Sequence, residues 1–339
     1  MMKTICICGG GSLSHVIAGF VSAKQHATVN VLTRKPERWQ HTLEIDTPDG
    51  ELLHGNLNKI SNDPAEVITP ADIVLLCLPG FAIKDELIKI KPYVTKGTYV
   101  GAVFSSTGFF FEAMNLYDED IQLWGVQRVP VISRVETYGK KAHLLGYKPN
   151  YNIAVEHATA EEKEDFRTTI EMMFERPVKL LNNYYEASFT NSNPILHPSR
   201  LYSLFKDWHE GCYFEKNYGF YADWTDEASN YLIQMDHELF SMLKKLPVDP
   251  NFLMPILEYY ESTDASSLSR KIRSIESFKT IKSPMKETEK GWVPDFDSRY
   301  FQEDFAYGLK YIYEQAHELN VETPMVDEIY HWGIQYLKK

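Results

Sequence analysis

Residues 191–198, NSNPILHP, place His197 directly before Pro198 and three residues after Pro194. Each proline fixes its own φ and disfavours the α region for the residue before it. The stretch is therefore expected to form a stiff bend that holds an imidazole in one place. Such a ring titrates near neutrality and can exchange a proton with a substrate. A satisfied surface or core histidine is the commoner use of the residue, so chemistry here requires a partner for the ring. Residues 295–309, DFDSRYFQEDFAYGL, offer one. Arg299 and Asp304 are five residues apart. On a helix beginning at Arg299 that spacing separates them by roughly 140°, so both could border one pocket from different sides. A carboxylate beside the imidazole would orient it and favour its charged form. An ordinary helix start, with Glu303 and Asp304 complementing the macrodipole, explains the same residues, and spacing alone does not choose.

A second constellation lies at the N-terminus. The segment ICICGGGSLSHVIAG (5–19) leaves a strand and opens a helix. Gly9 and Gly11 fit the first two positions of G-x-G-x-x-G, one for the tight turn and one for close approach of a pyrophosphate to the helix N-terminus. Ser14 stands at the third position, where a small residue still permits close helix–strand packing, and Ser12 opens the helix between them. A glycine-rich turn also occurs in other α/β proteins, but its place at the first βα turn favours a dinucleotide. The second strand ends in LTRKPER (32–38), with Thr33, Arg34 and Lys35 where NAD sites usually carry an acid. A hydroxyl followed by cations suits a 2′-phosphate, so NADP (as NADPH) is expected in preference to NAD. Leu78, Pro79 and Gly80, at the end of the run DIVLLCLP (72–79) and just beyond it, are expected to edge the same pocket.

Elements of two kinds must position these residues. Through residue 182, β-rich runs (4–8, 28–33, 72–79, 98–104, 121–127, 152–156) alternate with helical patterns, as in a doubly wound α/β sheet. TPDGELLHGNLNKI (47–60) reads as an inserted hairpin with a D-G turn. From 183 onward long helical periodicities dominate, at 226–246 and 299–319, and strands almost disappear. The expected architecture is a Rossmann-type nucleotide-binding domain (1–182) followed by an all-α substrate and catalytic domain (183–339). The polar stretch 264–291 is expected to be an exposed excursion.

Composition narrows the class. With 339 residues, 44% hydrophobic and 24% charged, the chain suits two soluble domains. A net charge of −12 argues against a nucleic-acid surface, although one local basic pocket suffices for an anionic substrate. No apolar run approaches a membrane span of roughly 20 residues, and the N-terminus enters a strand with no room for a signal peptide. Cys6, Cys8, Cys77 and Cys212 lack zinc-ribbon spacing, and no other metal constellation stands out. Reduced core cysteines fit a cytoplasmic protein.

Taken together and in order, the glycine-rich start, LPG (78–80), VPVISRVETYGKKAHLLGYK (129–148), NSNPILHP and SRYFQEDFAYGL (298–309) resemble the octopine/nopaline (opine) dehydrogenases of the 6-phosphogluconate dehydrogenase-like superfamily. The resemblance covers nearly the whole chain. It implies a Rossmann domain followed by a helical domain, and NAD(P)-dependent reductive condensation of an amino acid with a 2-oxo acid. It also implies that His197 is the acid–base group, with Asn193 as the asparagine of its motif, that Asp304 pairs with His197, and that Arg299 contacts a substrate carboxylate. Ser14, Ser133 and the TRK run depart from the family pattern and bear on substrate and cofactor preference.

Two other readings remain open: a ketopantoate reductase-like enzyme that makes an alcohol from a 2-oxo acid or keto-lactone, and a non-catalytic NADP-binding sensor. Many superfamily members use a lysine at the start of the helical domain, whereas no lysine lies between Lys179 and Lys206, which favours the histidine scheme. Tyr202, Trp208, Tyr213 and Trp224 serve either specificity or the core, the core being the simpler role. The partners expected are small-molecule substrates, with neither nucleic acid nor membrane, and a homodimer is the assembly kept in view.

Overall fold

The computed structural model describes residues 2–337, and the chain divides into two compact units, Met1–Ser188 and Phe189–Lys339. The first contains β1 (Lys3–Cys8), α1 (Ser12–Ala23), β2 (Ala27–Leu32), β3 (Thr42–Asp46), β4 (Leu52–Asn56), β5 (Lys59–Ser61), α2 (Pro64–Val67), β6 (Ile73–Leu76), α3 (Gly80–Ile90), β7 (Tyr99–Ala102), α4 (Phe109–Met114), β8 (Gln122–Val126), β9 (Val131–Thr137), β10 (Lys141–Tyr147), β11 (Tyr151–Glu156), α5 (Ala160–Phe174), β12 (Val178–Leu180) and α6 (Tyr184–Ser188). Eight strands form one sheet in the order β12-β11-β8-β7-β6-β1-β2-β5. β1 is parallel to β2 and β6, with Ile5 opposite Val29 and Ile73, while β11 runs antiparallel to β8.

Period-two alternation sends Ile5 and Ile7 to one face, against Val16, Ile17 and Val21 of α1. Cys6 and Cys8 go to the other, against Ile83, Leu87 and Ile90 of α3. Both faces are covered, which is why β1 and β6 read as nearly unbroken apolar runs. The expected hairpin is β3–β4. It belongs to a second sheet, β4-β3-β10-β9, whose other two strands come from residues 131–147. Cys6, Cys8 and Cys77 are buried and free, and Cys212 is half-buried.

The second unit contains α7 (Asn193–Phe205), α8 (Asp226–Leu243), α9 (Ile256–Tyr259), α10 (Ala265–Ser274), β13 (Met285–Thr288), β14 (Gly291–Pro294), α11 (Arg299–Gln302), a π-helical turn at Phe305–Leu309, α12 (Lys310–Glu318) and α13 (Pro324–Ile334). α8 shows why the segment is helical. Thr225 caps it by accepting from Ala228 N–H, and Asp226 and Glu227 occupy the first turn. Ala228, Leu232, Met235, Leu239 and Met242 form its buried stripe.

Two expectations change here. The division falls after Ser188, not at 182/183: Glu186 bonds Asn182 through backbone and side chain, and Glu156 accepts from Tyr184 N–H, which ties α6 to the first unit. The second unit is helical as expected, with one short antiparallel pair, β13 and β14, added to its helices. Within the polar stretch 264–291, expected to be an exposed excursion, the first part, 264–274, is a packed helix. Asp264 and Ser267 cap α10, which buries Leu268, Ser269 and Ile272 and turns Arg270 and Arg273 outward. Among the described residues no helix is long and apolar enough to cross a membrane.

Candidate active site

His197 lies within α7, not in a bend. Pro194 occupies the first turn, where a missing N–H costs no helical bond, and Ile195 and Leu196 both donate to Ser192 O at 3.0 and 2.8 Å. Pro198 sits inside the helix and gives up one amide. That position is past the first turn, so the missing amide costs a helical bond to Pro194 O, and burial of Ile195, Leu196 and Leu201 overrides both this loss and the preference of pre-proline residues for extended backbone. His197 is 9% exposed. Its Nδ1 is 2.8 Å from Asp304 Oδ2, and its Nε2 is 2.9 Å from the Tyr221 hydroxyl. With Asp304 ionised, Nδ1–H donates to the carboxylate and Nε2 is left as the exchanging nitrogen. Phe220 and Tyr300 pack edge-on against the ring, at 5.6 and 4.9 Å.

The partner arrives by an interrupted helix rather than the continuous one expected. After α11 the chain makes a π turn, in which Leu309 N–H donates to Asp304 O at 2.7 Å across five residues. Such turns carry one extra residue and recur at functional sites. Gly308 makes this one possible: a Cβ there would lie 2.9 Å from Pro194 Cγ, at the start of α7. Phe301, Phe305 and Leu309 anchor the segment in the core. Arg299 is not gathered in. Its side chain is 85% exposed and lies 3.9 Å from Glu303 Oε1. Asn193 opens α7 half-buried, its N–H donating to Asn191 Oδ1 at 3.3 Å. Among the aromatics, Trp224 and Tyr202 are buried, Trp208 is half-buried and Tyr213 is exposed.

In the first unit, Gly9, Gly11, Thr33, Arg34, Lys35, Leu78 and Pro79 line one cavity of about 660 Å³. Gly9 has φ +138°, and a Cβ on it would meet Ser14 Oγ at 2.6 Å and Cys77 O at 2.8 Å. Gly11 caps α1 with no side-chain bond to the helix amides, and a Cβ on it would meet nothing within 4 Å. Ser12, Ser14 and Gly80 are not among the lining residues. Ser12 Oγ accepts from Val135 N–H at 3.2 Å, Ser14 is buried under the glycine turn, and Gly80 is buried at the start of α3. Uncapped amides beside open space, with cations at the end of β2, fit a dinucleotide phosphate.

Two supports of this turn were not legible. Tyr138 lines the cavity with Arg38 over its ring, 4.6 Å from the centroid. His15 is buried beneath it, Nδ1–H donating to Gly11 O at 2.8 Å and Nε2 accepting from Gly139 N–H at 2.8 Å. Burial lowers the His15 pKa, so the neutral ring stacked on Trp39 acts as a two-ended strut. Nothing in the sequence separates His15 or Tyr221 from other residues of their types, because each acquires its role from a distant partner.

A mixed Rossmann-type α/β unit followed by a helical unit defines the class of fold. Residues 180–337 match the family model of the NAD/NADP octopine/nopaline dehydrogenase alpha-helical domain, and residues 5–103 match that of ketopantoate reductase PanE/ApbA. The opine dehydrogenase of Haliotis discus hannai is 27% identical over 99% of this chain and 90% of its own length. The tauropine dehydrogenase of Arabella iricolor is 28% identical over 100% and 92%. The fold of an octopine dehydrogenase solved with NADH and L-arginine superposes with a TM-score of 0.86 over 98% of this chain and 89% of that one, at 24% identity. The helical half of the chain thus matches the octopine/nopaline dehydrogenase model, and over its whole length the chain is similar to opine and tauropine dehydrogenases.

Proposed function

We propose that this chain is an NADP-dependent opine dehydrogenase, which condenses an amino acid with a 2-oxo acid and reduces the imine to a secondary amine. The observation that carries the reading is the pairing of buried His197 with half-buried Asp304 at 2.8 Å. In the reductive direction His197 holds a proton on Nε2 and delivers it to the hydroxyl that leaves as water when the imine forms. Asp304 keeps the other proton on Nδ1 and offsets the imidazolium charge. Arg299, with its exposed guanidinium, is proposed to bind a substrate carboxylate in a bidentate way, with Asn193 lining the same approach. The bound nicotinamide supplies the hydride that the imine carbon accepts. The glycine turn and the bare amides of α1 are proposed to bind the pyrophosphate, and Thr33, Arg34 and Lys35 the 2′-phosphate.

The match of residues 5–103 to the ketopantoate reductase model supports one other reading, an alcohol-forming reductase. One experiment decides between them. NADPH absorbance is followed with an amino acid alone, a 2-oxo acid alone, and both together, across a matrix of the two substrate classes, and the product is weighed by mass spectrometry. The opine reading requires rapid oxidation only with both, and a secondary amine carrying both carbon skeletons. Full-rate oxidation without the amine, giving a nitrogen-free hydroxy acid, would overturn it.

A further inference from the structure

Three residues beyond His197 on α7 lies Arg200, 1% exposed. Its Nε donates to Phe220 O at 2.8 Å, and its Nη2 donates to Asp223 O at 2.7 Å and Gly219 O at 3.3 Å. Asp223 Oδ2 accepts in turn from Gly219 N–H at 2.7 Å. One guanidinium thus pins both ends of the turn 219–223. Burial pulls the Arg200 pKa down to about 10, which still leaves it charged at neutral pH. Holding a cation this deep on main-chain carbonyls is costly, so what the turn presents matters.

It presents Tyr221. The ring stacks on Phe278 at 4.2 Å and lies nearly parallel to Trp224 at 6.1 Å, and the hydroxyl meets His197 Nε2 at 2.9 Å. Burial, with Tyr300, Tyr260 and Asp304 nearby, pushes the phenol pKa upward, so Tyr221 stays neutral through the working range. A neutral hydroxyl suits both states of the imidazole. It donates to Nε2 of the neutral ring and accepts from Nε2–H of the charged one.

We propose that Tyr221 is a positioning residue for His197, closing an Asp304–His197–Tyr221 chain that keeps the exchanging nitrogen hydrogen-bonded until a substrate oxygen takes or shares its place, and that Arg200 sets Tyr221 there. The proposal rests on reading His197 as the proton donor. Asp304 and Tyr300 face the ring from the 299–309 segment and Tyr221 faces it from the turn.

The test is Tyr221→Phe, which keeps the stacked ring and deletes one oxygen. Two readouts are followed: the titration of His197 by NMR of histidine-labelled, substrate-free protein, assigned with His197→Ala, and the pH profile of turnover. The lost bond costs the charged ring more than the neutral one, because the imidazolium bond is charge-assisted. The His197 midpoint should therefore fall by about half to one pH unit, the matching limb of the turnover profile should follow, and turnover at neutral pH should drop about tenfold. Dinucleotide affinity should not change. Arg200→Lys, whose ammonium cannot reproduce the fork, should move the midpoint the same way and less far. Tyr221→Phe settles the matter if Arg200→Lys does not fold. A folded Tyr221→Phe protein whose midpoint stays within about 0.2 pH unit of the parent overturns the proposal. The NMR arm needs no turnover, so failure of the two-substrate reaction in the parent protein would count against the enzymatic reading alone.

Discussion

The glycine turn of the first unit and the histidine site of the second are built from opposite materials. Around Gly9–Gly11 the working parts are main-chain amides, open space and a helix end. Of the side chains around it, His15 braces the turn and Tyr138 lines the cavity. Around His197 the working parts are side-chain atoms, each nitrogen of one ring held by a residue from another part of the chain, Asp304 and Tyr221. A site made of backbone fails when atoms are added to it. A site made of side chains fails when atoms are taken away. The two kinds of substitution therefore test different halves of the proposed reaction.

The largest effect should come from deletion in the side-chain site. His197→Ala removes the proposed proton donor, and general acid catalysis of this kind is worth about 10²–10⁴ in rate, or about 3–5 kcal/mol of barrier. Turnover of both substrates together should fall by that factor, with NADPH affinity within about twofold of the parent by fluorescence titration. Asp304→Asn should lower turnover less, since it leaves the ring in place and removes only the counter-charge. Normal turnover in a folded His197→Ala enzyme would reduce the pair to a structural contact and erase the contrast.

Addition in the backbone site should give the next largest effect. Gly11 has φ −87°, accessible to any residue, and open space where a Cβ would go. Gly11→Ala should therefore fold with a melting temperature close to that of the parent, yet bind dinucleotide about 10–100-fold more weakly, because the methyl occupies ground that a pyrophosphate needs. Gly9→Ala is the control. It sets the new Cβ against Ser14 Oγ and Cys77 O at φ +138°, so it should lower stability as well as affinity. Unchanged affinity in Gly11→Ala would show that the open space is not where a phosphate sits.

The same contrast explains how far each half could be read beforehand. The parallel sheet was legible because strands buried on two faces leave apolar runs, and because the glycine turn falls where β1 gives way to α1. Asp304 could be named as a partner for His197, yet the route by which it arrives could not. The route depends on a π turn, and the turn depends on Gly308 lying against Pro194, residues more than a hundred positions apart. The prolines misled for a related reason. Local preference argued for a bend at 191–198, but packing of Ile195, Leu196 and Leu201 holds the segment helical. Residues 264–291 look loose in composition, and only tertiary contact reveals the narrow stripe that α10 buries. Tyr221 and Arg200 left no local trace, since their roles consist of bonds to each other's surroundings.

The smallest effect should come from Arg34, and it sharpens the comparison because here a side chain works at the edge of the backbone site. Arg34 and Lys35 are exposed at the mouth of the cavity, after the buried Thr33. Exposed charges are screened by salt and contribute little apiece, so neither should matter to the fold. Against a 2′-phosphate, however, a planar guanidinium can form two parallel bonds that a ribose hydroxyl cannot match. Arg34→Asp should cost NADPH about tenfold in affinity, about 1.4 kcal/mol, while NADH binding holds or improves, because an acid there can accept from the ribose 2′-OH. The measurement is a titration of both cofactors into both proteins at two salt concentrations. The NADPH advantage of the parent should shrink as salt rises, and the preference of the variant should not. An unmutated protein that binds NADH as tightly as NADPH would remove the 2′-phosphate assignment, and it would leave the turn at Gly9–Gly11 as a dinucleotide site indifferent to that group.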